Sequence, residues 1–260
     1  MTIAGLAIAF VALIVSATME GTPITELFHL AAMVLIFGGT IGATLVGYRG
    51  GDMRRLPKLI MSAFVVRDKD PQDLIDRIVR MAEKARREGL LALQDDVASL
   101  DNPLLVRGVQ LIVDGTDPDI VKSTMETQVE LAEERNLNAA GALDAAGGYA
   151  PTMGIIGTVV GLVHVLGSIG GNPDGLAKAI GGAFLATLWG ILTANMIWLP
   201  LGSKVKQNIQ YEALIGRMCI SGVSGLQTGE APRALREKLE VYVTEQVSRA
   251  SSRRRGGDED

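Results

Sequence analysis

Two threonines, Thr158 and Thr187, sit inside apolar stretches, Tyr149–Ser168 and Ala179–Leu201, that hold no Asp, Glu, Lys or Arg. A hydroxyl in an apolar helix has two uses. It can bond the helix carbonyl four residues earlier, or offer its oxygen to a carboxylate or a partly dehydrated cation. Counted from the ends of the stretches farthest from the prolines, each hydroxyl lies about 12–15 Å deep at helical rise. The two could therefore face each other across a helix pair. Pro151 opens the first stretch and Pro200 nearly closes the second. Each removes a backbone donor and can kink a helix or free a carbonyl; the plainer readings are a first-turn proline and a helix stop. The titratable groups of the apolar stretches are His164, and His29 at the head of an earlier one. An interfacial or packing histidine is the plain reading of His164, and a proton relay is the sharper one. An ion path ordinarily leaves acids or bases in the membrane, because they are costly and kept for use. This pattern points to a helper of ion movement whose partner supplies the ionisable group, and away from a self-contained pump or transporter.

A second group lies in a polar region. Arg86, Arg87 and Glu88, then Gln94, Asp95 and Asp96, form a mixed-charge patch around Gly89. Such a patch is a solvated helix face by default, or a surface that steers a charged partner. No cluster of ligating residues suggests a metal, and no cofactor is expected. The lone cysteine, Cys219, excludes an internal disulfide and fits a reducing compartment for its segment.

The elements that must hold these residues are helices. Four runs are long enough to cross a hydrocarbon core of roughly 30 Å: Thr2–Thr18, Phe28–Tyr48, Tyr149–Ser168 and Ala179–Leu201. The first lacks the basic start and good cleavage site of a signal peptide, so it is read as a retained helix. Gly38 with Gly42, and Gly157 with Gly161, each share one helix face, which suits close packing within one subunit or between subunits. In the polar regions, Asp70-Pro71 is a start signal. Leu74, Ile75, Ile78, Val79, Ala82 and Ala85 follow at helical spacing, and Gly89 is a stop. Leu90–Leu100 and Pro103–Val113 read as further helical stretches. A long helix starts at Asp117 and leads straight into the third span. Lys204–Leu226 and Arg233–Val247 are amphipathic. No run shows the alternation of a strand.

Charge then sets the topology. Of 25 Lys and Arg, 14 lie in Arg49–Arg135 and 10 in Lys204–Arg255, while Met19–Leu27 has none. Basic flanks mark the cytoplasmic side, so both termini are expected there, in a multi-pass membrane protein. The fold class is an all-α membrane protein: four transmembrane helices with a large helical cytoplasmic insertion between spans 2 and 3. The expected regions are 1–48 (spans 1 and 2), 49–148 (cytoplasmic helices), 149–201 (spans 3 and 4), 202–247 (C-terminal cytoplasmic helices) and 248–260 (a disordered tail). Acids interspersed with the bases remove any need for a nucleic-acid partner.

The stretch Ala150–Ser168, APTMGIIGTVVGLVHVLGS, resembles the third span of the MotA/PomA family of flagellar stator A subunits. Gly38–Leu45, GGTIGATL, resembles its second span, and Ala85–Leu93, ARREGLLAL, its cytoplasmic charged motif. The resemblance runs through nearly the whole chain in order. It implies a non-enzymatic motor subunit, five copies of which ring the single helices of two MotB-type partners. In that family the partner carries the membrane aspartate and a peptidoglycan-binding domain, and ion flow drives torque on the rotor protein FliG. Pro151 and Pro200 match the family's coupling prolines, Arg86 its rotor-facing arginine and Arg87 the basic neighbour. The motif's acid falls at Gln94, a departure. Asp95 beside it would point about 100° away on a helix. Thr158 and Thr187 match threonines associated with sodium, whereas Val163–Ser168 is closer to the proton-driven branch; protons are the expected ion and sodium the alternative. The related ExbB/TolQ energisers of outer-membrane processes are the second reading, disfavoured by spans 1 and 2.

Overall fold

The computed structural model describes the backbone of residues 2–21, 23–64, 71–167 and 173–255. Every regular element among them is helical. Helix α1 spans Thr2–Met19, α2 Leu30–Gly47 and α3 Gly50–Phe64. Then follow α4 (Pro71–Glu88), a 3₁₀ turn (Leu90–Leu93), the one-turn α5 (Gln94–Val97) and α6 (Pro103–Val113). Helix α7 runs unbroken over Pro118–Gly167. Helix α8 (Pro173–Thr193) passes through a π-helical segment, Ala194–Trp198, into α9 (Leu199–Thr228), and α10 covers Pro232–Arg255.

The starts and stops follow local chemistry. Asn102 caps α6 through Oδ1, which accepts from Leu104 N at 3.0 Å and Leu105 N at 3.2 Å, with Pro103 at the first helical position. Asp117 Oδ1 accepts from Asp119 N at 2.9 Å at the head of α7. Gly89 ends α4 with φ of 90°, a left-handed backbone that glycine adopts at little cost. The expected cap Asp70 and the span end Ser168 lie outside the described residues.

Three described helices are long and apolar enough to cross a membrane: Leu30–Gly47, Pro118–Gly167 and Ala179–Thr228. The apolar part of α1, Ala4–Met19, is shorter. Phe28 and Tyr48 flank α2 rather than belonging to it, since His29 and Tyr48 are its caps. The chain divides into two compact units. One comprises Met1–Val66 with Arg135–Asn208, the other Arg67–Glu134 with Ile209–Asp260.

In the first unit Ala32 and Ile36 of α2 pack on Ala186, Trp189 and Leu192 of α8. The Leu27 carbonyl accepts from Trp189 Nε1 at 2.6 Å, and the Phe28 ring tilts against the Trp189 ring at 5.6 Å. Such a pair contributes about 0.5–1.5 kcal/mol beyond area burial. Helix α3 carries Pro57 inside it, which hid it from the sequence pattern; Asn208 Nδ2 of α9 ties it down by donating to Ser62 O at 2.9 Å.

The second unit has an ordinary soluble core. Ile75 and Ile78 of α4, Leu105 and Val109 of α6, Met125 of α7, Met218 of α9, and Leu235 and Leu239 of α10 are buried together. Regions 49–148 and 202–247, expected as separate, thus contribute to one core. The short insertion helices cannot bury their apolar faces alone, and α9 and α10 supply the missing cover. Helix α10 also continues to Arg255, eight residues into the expected disordered tail. Ser248–Arg255 has neither Gly nor Pro to stop it, and residues 256–260 lie outside the described set.

Cys219 sits in this core, and burial pushes its thiol up to about 12. Only the thiolate is a good nucleophile. Iodoacetamide at pH 8 is therefore expected to leave Cys219 unmodified in the native protein and to alkylate it after denaturation, as read by mass spectrometry. The neutral thiol is favoured in the folded state, so this group's contribution to stability is full below the ordinary thiol range and is lost as pH climbs towards about 12.

Candidate functional site

The apolar pair α7 and α8 meets backbone to backbone because small residues line both faces at matching spacing. On α7 these are Gly154, Gly157 and Gly161; on α8 they are Ala183, Ala186 and Gly190. A Cβ on Gly154 would lie 2.8 Å from Ala186 O, and one on Gly190 would lie 2.7 Å from Ala150 O. Each glycine therefore presents Cα–H to a carbonyl of the facing helix, a weak but recurrent contact. Gly157 and Gly161 face the methyl groups of Ala186 and Ala183 instead: a Cβ on either glycine would lie 2.9 Å from the alanine Cβ. Their shared face is thus used inside the chain. Gly38 and Gly42 face open space, while Gly39 between them faces Met153, whose Sδ would lie 2.8 Å from a Cβ at that position.

This close approach brings the two expected hydroxyls together. Thr158 Oγ1 and Thr187 Oγ1 are 2.5 Å apart, and Thr158 Oγ1 is also 2.9 Å from Ala183 O and 3.1 Å from Gly154 O. A hydroxyl has one proton to donate. The consistent assignment has Thr158 donating to a carbonyl, across the pair or back along its own helix, while Thr187 donates to Thr158. Back-bonding and cross-helix pairing are therefore both present, and four oxygens converge in an otherwise apolar interface. Such a cluster can solvate a passing cation or receive a hydrogen bond from a protonated carboxyl. It cannot itself change charge.

Pro151 is inside α7, not at a helix start, and Pro200 is the second residue of α9, not a stop. Without an N–H, Pro151 leaves Gly147 O without its helical donor. Just ahead of Pro200 the turn widens to π, with Leu199 N bonding Ala194 O, the local adjustment by which a helix absorbs a proline. Gly147, one turn before Pro151, meets the side chain of Leu199, which precedes Pro200: a Cβ on Gly147 would lie 2.5 Å from Leu199 Cδ2. Below them Lys206 Nζ bonds Asp144, a pair that sequence reading passed over because each residue alone resembles a flanking charge.

His29 and His164 line one cavity of about 430 Å³ with Gly161 and Gly182. His29 Nδ1 accepts from Ala32 N at 3.4 Å, capping α2. The described residues contain no group of three or more His, Cys, Asp or Glu that could hold a metal.

In the other unit, Arg86 and Arg87 are exposed in the last turn of α4. Gln94 and Asp95 are exposed on α5. Asp96 instead pairs with Lys84 at 3.1 Å, a contact formed because the 3₁₀ turn packs on α4 and brings the head of α5 within reach of Lys84. Of the two neighbouring acids, Asp95 is the one left outward.

Long helices whose apolar stretches meet through glycine and carry hydroxyls but no acid, together with a second helical core, are the pattern of a multi-pass helical membrane protein. The family model described as the MotA/TolQ/ExbB proton channel family matches residues 96–218. Motility protein A of Bacillus subtilis is 34% identical over 92% of this chain and 88% of its own length. Chemotaxis protein PomA of Vibrio alginolyticus is 33% identical over 90% of this chain and 91% of its length. A solved structure of the flagellar MotAB stator complex from Bacillus subtilis superposes with a TM-score of 0.85 at 34% identity, covering 92% of this chain and 94% of that one. The chain belongs to the motility protein A family, a family of motor channel subunits and not of enzymes.

Proposed function

We propose that this protein is a flagellar stator A subunit that couples inward ion flow to torque on the rotor protein FliG. The observation that carries the reading is the Thr158–Thr187 pair, held between apolar stretches that contain no acid of their own. A path lined this way needs an ionisable group from elsewhere, which a MotB-type partner with a membrane aspartate and a peptidoglycan-binding domain provides. The chain crosses the inner membrane four times with both termini in the cytoplasm, and five copies ring the partner helices. Arg86 and Arg87 face the rotor, and Pro151 and Pro200 pass the ion-driven change to the cytoplasmic helices. Identity along most of the length of motility protein A favours this over the ExbB/TolQ reading.

The ion is read as the proton, with sodium as the alternative. Cells that carry this chain and its partner as their sole stator are expected to keep their swimming speed when sodium is withdrawn and to stop when a protonophore is added. Speed that follows sodium concentration and survives the protonophore assigns the path to sodium. Cells that fail to swim despite both proteins being in the membrane would overturn the stator reading.

A further inference from the structure

Helix α3 follows α2 after only Tyr48 and Arg49, so it begins where the apolar span ends. Its residues sort by angle into three strips. At helical spacing Arg54, Arg55 and Lys58 share one arc of about a quarter of the circumference. Leu56, Leu59, Ile60 and Ala63 lie on the far side, buried or half-buried against the rest of the chain. Between the two runs a third strip, made of Pro57, Met61 and Phe64. It is apolar yet open to the outside: Met61 is 67% and Phe64 42% exposed.

The three strips have different needs. The buried one is satisfied: α3 touches α1, and Asn208 Nδ2 fixes its end by donating to Ser62 O at 2.9 Å. The basic one is not. Arg54, Arg55 and Lys58 are exposed, as is Arg49 ahead of them. Among the described residues none of these bases has an ion-pair partner. The acid of α3, Asp52, falls outside their arc. Solvated helix faces ordinarily alternate the two signs of charge, whereas here like charges are gathered beside exposed Met61 and Phe64. Water would suit the bases and not the apolar strip, and an apolar partner would suit the strip and not the bases. A bilayer surface meets both needs, with acyl chains for the strip and phosphates for the bases.

We propose that α3 is a docking surface for anionic phospholipid, whose phosphodiesters are held by Arg49, Arg54, Arg55 and Lys58. The inference goes beyond the stator reading and needs only that α2 crosses a membrane. Pro57, Met61 and Phe64 dip among the first methylenes of the acyl chains. The stems of Arg54 and Lys58, on the side of the basic arc nearest that strip, lie along it and carry their heads out to the headgroups. A guanidinium fork matches two phosphate oxygens at once. A lipid of net negative charge is preferred over a zwitterionic one, whose own cationic group repels the bases. Through Asn208 the anchored helix then holds α9 about two turns past Pro200.

The test uses the full-length chain purified with its partner in mild detergent and supplied with equal amounts of phosphatidylglycerol and phosphatidylcholine. Retained lipid is extracted and counted by mass spectrometry. At low salt, wild type is expected to favour phosphatidylglycerol by roughly tenfold or more, since each base near an anionic surface contributes about fivefold. The preference should vanish at about 1 M salt, where charges are screened within about 3 Å. Arg54→Gln, Arg55→Gln and Lys58→Gln combined should bring the two lipids near parity. Arg80→Gln, Arg107→Gln and Lys122→Gln combined remove the same charge from the other unit, and should keep the wild-type ratio. No preference in wild type, a preference that survives high salt, or equal ratios in the two triple variants would overturn the proposal. If the α3 triple variant fails to hold its partner, the single Gln variants decide: each is expected to lower the ratio severalfold, and unchanged ratios overturn the proposal. Swimming is not read, so a failure here leaves the stator reading as it stood.

Discussion

Gly190→Val is expected to abolish swimming and to lower the amount of protein that assembles in the membrane. The position has no room for a side chain. A Cβ there would lie 2.7 Å from Ala150 O and 3.0 Å from Gly154 Cα, whereas carbon atoms rest at about 3.5–4.0 Å. Both obstacles are backbone, so no rotamer relieves them, and α7 and α8 must separate by about 1 Å at that level. Overpacking of this kind costs about 1–3 kcal/mol. The consequence reaches further than stability. Thr187 is one turn from Gly190 and Thr158 one turn from Gly154, so the 2.5 Å hydroxyl contact opens as the helices part. The paired variant Thr158→Cys with Thr187→Cys reads this directly. It should form a disulfide under mild oxidation in the native background and fail to do so when Gly190→Val is added. Swimming at wild-type rate by Gly190→Val would show that the two helices do not touch here.

The sequence already contained most of what places the hydroxyls. Their equal depth, the uncharged surroundings and the long helix from Asp117 into the third span all follow from spacing. Gly157 and Gly161 were visible as one face, yet Gly154 and Gly190, which make the tighter contact, were not singled out. The signal was there: Gly154, Gly157 and Gly161 repeat at three and four residues, as do Ala183, Ala186 and Gly190, and only a comparison of the two patterns reveals that they mesh. Other features were hidden for a physical reason. A proline inside a helix reads as a boundary, because its missing donor is a local fact while the packing that tolerates it is not. Pro57 concealed α3 in this way, and Pro151 and Pro200 looked like a start and a stop. The shared core of α4, α6, α9 and α10 was also illegible, since amphipathic faces declare that they need a partner without naming which. The Asp96–Lys84 pair depended on the packing of the 3₁₀ turn against α4, a detail that Gly89 permits but does not dictate.

Pro151→Leu is expected to separate stability from function, with the helix gaining and the motor losing. Proline in a helix interior costs about 3 kcal/mol relative to ordinary residues, and here it is kept in the middle of a 50-residue helix. Leucine restores the N–H that Gly147 O lacks and removes the pyrrolidine ring that crowds that carbonyl. Pro151 is only part-buried, so the side-chain change itself does little. The substituted complex should therefore accumulate normally, hold its partner on co-purification and resist thermal aggregation in detergent at least as well as wild type. Cells that carry it should nonetheless fail to spread in soft agar. The reason lies in the pairing of the two prolines. Gly147, whose carbonyl Pro151 leaves without its helical donor, packs under Leu199 at the end of the π turn ahead of Pro200, so a softened point of α7 lies against a softened point of the facing helix. A helix without the soft point can still surround the partner and still solvate the ion, but it has lost the place where a change in the ion site becomes a change of helix angle. A swimming Pro151→Leu strain would show that this proline is packing alone, and would shift the proposed coupling step to Pro200 and its π turn.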